Sequence, residues 1–113
     1  MADDRLPTEL WVAAHMRRCS ASATPAVLVR RGEAERGSVL LKINQLAAGC
    51  RVLTQARDLE GRLGWLAALG GQLVPESEAD AYIARAVDRD PDLWVIEIED
   101  RQGNHPFDGK LIA

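Results

Sequence analysis

From Leu93 to Asp100 the chain reads Leu-Trp-Val-Ile-Glu-Ile-Glu-Asp, with Trp94, Ile96 and Ile98 alternating against Val95, Glu97 and Glu99. A period of two sends successive side chains to opposite faces of an extended strand. A chain carrying this segment must therefore build a sheet whose apolar face receives the first set. Asp90-Pro91-Asp92, just upstream, ends any preceding helix, because proline disfavours helical geometry in the residue before it. At 113 residues the chain has the size of one domain, expected over residues 1–113 with 1–5 and 104–113 as flexible ends.

The other elements follow from local signals. Leu6 to Cys19 is predicted helical, with Pro7 in a first-turn position and Leu10, Trp11, Ala13, Ala14 and Arg17 recurring at helical spacing. Arg17 and Arg18 fall in its last turn, where the helix dipole favours cations. Ala26 to Arg31 and Gly37 to Asn44 are strand-like runs joined by a polar, glycine-bordered stretch, which predicts a hairpin. In the second run Val39, Leu41 and Ile43 oppose Leu40, Lys42 and Asn44, with Val27 and Val29 matching the apolar face. Cys50 to Arg57 gives a third strand. Residues 58–73 contain the apolar run Trp65 to Leu69 between glycine-bearing turns, too short for periodicity to assign. Ser77 and Asp80 resemble a capping box ahead of the stripe Ala79, Tyr82, Ile83, Ala86 and Val87, predicting a second helix. Phe107, Leu111 and Ile112 lie in a tail that either docks on the body or stays loose. The expected fold is α+β: a small antiparallel sheet of about four strands, in α-β-β-β-α-β order, with two helices packed on one face.

Composition narrows the function classes. A chain that is 47% hydrophobic and 27% charged is globular rather than disordered or collagen-like. Its longest apolar runs fall far short of the roughly 20 residues a membrane helix needs, so no membrane association is expected. The amino terminus, with Asp3 and Asp4, lacks the basic start of a secretory signal. With only Cys19 and Cys50 as thiols, no disulfide framework is expected, and the location expected is cytoplasmic. Net charge is −3, split as +4 over residues 1–57 and −7 over residues 58–113.

Two constellations carry possible chemistry. Glu97, Glu99 and Asp100, with Asp92, His105 and Asp108 nearby, are residue types that bind divalent metal or divide acid and base roles. Strand spacing equally makes Glu97 and Glu99 an exposed face paired across strands with Lys42, Arg30 or Arg57. Arg17, Arg18, Arg30, Arg31 and Arg36 suit phosphate recognition, yet the chain is acidic and poor in exposed stacking aromatics, so nucleic acid is not the expected partner. Trp65, beside Gly64, is the expected partly exposed interface anchor. His15 stands mid-helix with no nucleophile in a recognisable motif, and no phosphate loop, nucleophile elbow or zinc motif is present.

Glu9 to Val12, Ala26 to Gly32, Val39 to Asn44, Ser77 to Tyr82 and, above all, Asp90-Pro91-Asp92-Leu93-Trp94 through Glu99-Asp100-Arg101 resemble a family of short, uncharacterised alphaproteobacterial proteins, a domain of unknown function. The resemblance implies a stand-alone bacterial cytoplasmic protein and brings no activity, cofactor or catalytic residue. The leading expectation is a non-enzymatic protein-binding or adaptor protein whose interaction surface includes Arg30, Arg31, Arg36, Lys42, Trp65, Glu97 and Glu99, with no cofactor. The alternatives are RNA binding through the arginine-rich hairpin, or a small metal-dependent enzyme built on the last-strand carboxylates. The open edge of a small sheet also makes a symmetric homodimer an available oligomer.

Overall fold

A computed structural model describes residues 6–112; Met1 to Arg5, expected as a flexible end, lie outside the described residues. In chain order the elements are α1 (Thr8–Ala21), β1 (Ala26–Arg30), β2 (Val39–Asn44), β3 (Cys50–Arg57), β4 (Leu63–Ala67), α2 (Glu76–Arg89), β5 (Trp94–Glu99) and β6 (Lys110–Leu111). The α+β class holds, but the sheet has six strands, in the order β1-β5-β2-β3-β4-β6, rather than about four. It is also mixed. β5 runs antiparallel to β1 but parallel to β2, and β6 runs parallel to β4.

The predicted β1–β2 hairpin does not form, because β5 lies between the two strands. Residues 31–38 instead pack against the start of β5. A Cβ on Gly37 would fall 2.4 Å from the Asp92 carbonyl oxygen, and one on Gly32 would fall 2.2 Å from the same atom. The Trp94 indole N–H donates to the Glu33 carbonyl at 2.8 Å, and the Glu33 carboxylate accepts from the Glu35 and Arg36 amides. The loop is thus shaped by β5, not by a hairpin turn.

The helices pack on opposite faces of the sheet, not on one. Val12 and Cys19 of α1 join Val39, Leu41, Ile43, Trp94, Ile96 and Ile98 in one apolar layer. Ala79 and Ala86 of α2 join Leu40, Val52, Leu93 and Val95 in the other. The predicted alternation in β2 and β5 is therefore real, but both of its faces are covered. Every residue of β2 from Val39 to Ile43 is buried, Lys42 included. In α1 the buried stripe is Val12, His15 and Cys19, rotated from the one predicted, while Leu10, Ala13 and Ala14 face water. In α2 the predicted stripe is correct, but the capping box is not used. Pro75 stands at the helix boundary with no side-chain cap, and Asp80 reaches to the sheet.

The tail after Gly103 docks. Phe107 is buried in the α1 layer, and β6 pairs with Gly64 and Trp65 of β4. The approach is close: a Cβ on Gly64 would meet the Lys110 carbonyl oxygen at 2.7 Å. No helix among the described residues is long and apolar enough to cross a membrane.

Candidate functional site

The seven residues expected to form one interaction surface are dispersed. Trp65, expected to be partly exposed, is 1% exposed. β4 lies inside the sheet and turns Trp65 toward the α1 layer, where its indole N–H donates to the Asp108 carbonyl at 2.9 Å. Lys42 is 5% exposed and ties α2 to the sheet. Its Nζ donates to Glu76 and Asp80, both at 2.7 Å, and lies 3.5 Å from a Glu97 oxygen. Burial opposes the Lys42 charge, but the hydrogen bonds to Asp80 and Glu76 and the nearby Glu97 carboxylate outweigh it and raise its pKa. The expected cross-strand pairing of Glu97 with Lys42 is present, Lys42 and Glu97 being register partners. Glu99 is exposed on the same face.

The arginines do not gather on one free face: Arg30 is half-buried, Arg31 and Arg36 are exposed, and Arg30 and Arg31 are engaged within the chain. Arg30 donates to the carbonyls of Pro91 and Leu93, each at 2.8 Å. Arg31 pairs with Glu9 and stacks over the Trp94 ring, 5.1 Å from its centroid. Arg36 lines a cleft of about 900 Å³ between α1, the loop before β2 and the β3–β4 turn. The last-strand carboxylates do not converge with the histidine. Asp100 accepts the Gln102 and Asn104 amides, His105 meets the Trp65 ring edge-on, and Asp108 turns to α1. Among the described residues no group of three or more His, Cys, Asp or Glu side chains is placed to hold a metal ion.

Two features remain as candidates. The first is the outer edge of β1, where the sheet ends. Val27 and Val29 are 62% and 53% exposed, and Leu28 between them is also exposed. A bulge between Leu28 and Arg30 shifts the register with β5. The second is the docking site of the C-terminal segment on α1. His15 is buried between the rings of Trp11, 3.9 Å from its centroid, and Phe107, at 5.2 Å. Its Nδ1 lies 2.7 Å from the Trp11 carbonyl oxygen and its Nε2 lies 3.2 Å from an Asp108 carboxylate oxygen, at ion-pair distance but off the hydrogen-bond axis. Arg18 donates to the other Asp108 oxygen at 2.7 Å and to the Pro106 carbonyl at 2.9 Å. That Arg18 hydrogen bond holds the Asp108 carboxyl below the usual carboxylate range, against the opposing effect of burial. Sequence reasoning passed over His15. The signal was its spacing of four from both Trp11 and Cys19, which puts it on the buried stripe.

Fold and sites together define a small α+β protein: a mixed six-stranded sheet between two helices, closed by a C-terminal strap. The chain belongs to the DUF1491 family, described as a protein of unknown function, whose model matches residues 6–108. It is similar to the crystal structure of a DUF1491 family protein from Caulobacter crescentus, with 36% identity over 94% of this chain and 98% of that one and a TM-score of 0.83. The NMR structure of a DUF1491 family protein from the same organism matches with 35% identity, over 96% of this chain and 97% of that one, at a TM-score of 0.80. The solution structure of a protein from A. tumefaciens is 25% identical, over 85% of this chain and 86% of that one, with a TM-score of 0.70. No curated protein matches the chain.

Proposed function

We propose that this protein is a non-enzymatic binding module, an adaptor of the bacterial cytoplasm, that receives an extended segment of a protein partner along the outer edge of β1. The observation carrying the reading is the exposure of Val27, Leu28 and Val29 in succession on the outermost strand of the sheet. An edge strand offers unpaired amides and carbonyls to an incoming strand, and alternate side chains then supply specificity. Sheets that avoid such pairing place charges on the edge. Here Arg30 and Arg31, the charges nearest it, are engaged by carbonyls and by Glu9 of the same chain. Two buried thiols housed in separate apolar layers, Cys19 and Cys50, suit a reducing compartment.

A doubly charged edge tests this reading. Val27→Lys with Val29→Lys leaves both core layers intact and is expected to keep the wild-type circular dichroism and melting temperature. Against cross-linked partners from the native cytoplasm, it is expected to lose those that the wild type retains at residues 26–30. Retention of the same partners at the same yield by the folded double variant would remove β1 as the binding edge. Light scattering at two concentrations decides whether a second copy is the occupant.

A further inference from the structure

The two faces beside the β1 edge differ in charge. The Pro25 carbonyl accepts the Glu99 amide at 3.0 Å, and Ala26, Val27 and Leu28 stand opposite Ile98, Glu97 and Ile96. In an antiparallel pair the hydrogen-bonding direction alternates along the strand, so Val27, like Pro25, turns its backbone groups to β5, while Ala26 and Leu28 turn theirs outward. An incoming strand therefore bonds to Ala26 and Leu28. Past Leu28 the bulge interrupts the ladder with β5. On the α2 face Val27 is exposed beside Glu97, and Glu99 follows, exposed, next to Pro25. That face offers apolar contact and repels a carboxylate. On the α1 face a hollow of about 200 Å³ opens beside Ala26, lined also by Met16, Arg17, Cys19, Ser20 and Thr24. Among the strands only β1 lines it, so it lies on the outer flank of the sheet.

Arg17 is the cation of that hollow. Its neighbour Arg18 is taken by Asp108 and the Pro106 carbonyl, whereas the Arg17 guanidinium has no carboxylate or carbonyl partner among the described residues. Resting on the reading of β1 as a binding edge, we propose that this edge selects an acidic extended segment: a carboxylate side chain enters the hollow on the α1 face and meets Arg17, while the residues flanking it lay apolar side chains over Val27. The period of two in the incoming strand enforces this division, since neighbouring side chains point to opposite faces. Arginine suits the role because its planar fork takes a carboxylate in two parallel bonds. The exposed Ser20 and the half-buried Thr24 give the hollow a polar rim, and Met16 and Cys19 give it an apolar floor. A second copy of this chain is the poorer occupant. Pairing two β1 edges brings Arg17, Arg30 and Arg31 of each toward those of the other, and like charges across an interface oppose it.

The test uses the whole chain, ¹⁵N-labelled, and three capped heptapeptides in which valine alternates with aspartate, asparagine or lysine. The Ala26 and Leu28 amides are followed as each peptide is added. The aspartate peptide is expected to shift both amides and to bind more tightly than the asparagine peptide, with the lysine peptide weakest. Arg17 is exposed, so Arg17→Gln is expected to keep the fold and the affinity for the asparagine peptide. It is expected to weaken the aspartate peptide by about two- to fivefold, the worth of a surface ion pair. Equal binding of all three peptides at Ala26 and Leu28 overturns the acidic selection and leaves β1 standing as a binding edge. Failure of every peptide to move these amides overturns the selection and removes the edge reading with it. An undiminished preference for aspartate in the folded Arg17→Gln variant also overturns the proposal. So do shifts of the same amides with protein concentration alone, which make a second copy the occupant.

Discussion

Lys42 is the residue on which the α2 layer turns, since Glu76, Asp80 and Glu97 all share its ammonium where α2 meets the sheet. Replacing it by methionine keeps the buried stem but leaves three carboxylates facing one another. Lost charge-assisted hydrogen bonds are worth about 1.5–3 kcal/mol in such settings, and the half-exposed Glu76 and Asp80 place the expected loss for Lys42→Met near the lower end. Urea unfolding checks this, and an unchanged midpoint would show that α2 is held by its apolar stripe alone. Because the Lys42 pKa is raised, its contribution is present at neutral pH and is lost only as pH rises through the strongly alkaline range. The alternation of β2 and β5 made the Lys42–Glu97 pair legible from sequence. Glu76 and Asp80 were not, because a first-turn acid next to Ser77 reads locally as a cap. Trp65 was misplaced for a similar reason: a neighbouring glycine suggests an exposed turn, whereas Gly64 is small to admit β6.

At the scale of elements, what the sequence concealed is long-range pairing. Strand periodicity located β2, β3 and β5 and told which side chains of β5 share a face, but it carries no trace of which strand lies beside which. Residues 31–38 look like a hairpin connection because they are polar and glycine-bordered, yet the glycines answer to Asp92 and Trp94, more than fifty residues later in the chain. Gly37→Ala is expected to destabilise the fold by about 1–3 kcal/mol, the usual cost of overpacking, and to perturb the Trp94 indole signal through its bond to Glu33. A neutral effect on thermal unfolding would mean that the loop moves away from β5 at no cost. The face of α1 was misjudged because His15 reads as polar and interrupts the stripe from Val12 to Cys19, while Leu10 and the alanines read as apolar and nevertheless meet water.

For the molecule as a whole, two helices on opposite faces divide the interior into two layers, each holding one thiol: Cys19 under α1 and Cys50 on the α2 side. Burial raises both thiol pKa values, Cys19 and Cys50 alike, and shields the sulfurs from reagents. Labelling then reports opening of each layer. Chains retaining only Cys19 or only Cys50 are expected to label slowly at neutral pH, and a difference between their rates reports separate opening of the two layers. Equal rates for both would point to global unfolding. The expectation of helices on one face failed because a half-polar strand face reads as solvent-facing, when in β2 and β5 its charges meet those of a second helix. The position of β5 bears on how the protein is made. β1 and β2 are near each other in the chain, yet the strand that fills the gap between them begins about fifty residues beyond the end of β2. Until β5 docks each presents an unsatisfied inner edge, and loop closure must span about fifty residues from β2 and more than sixty from β1. Docking of β5 between β1 and β2 is therefore a late, non-local step in forming the sheet, and the exposed inner edges before it are where misassociation would start.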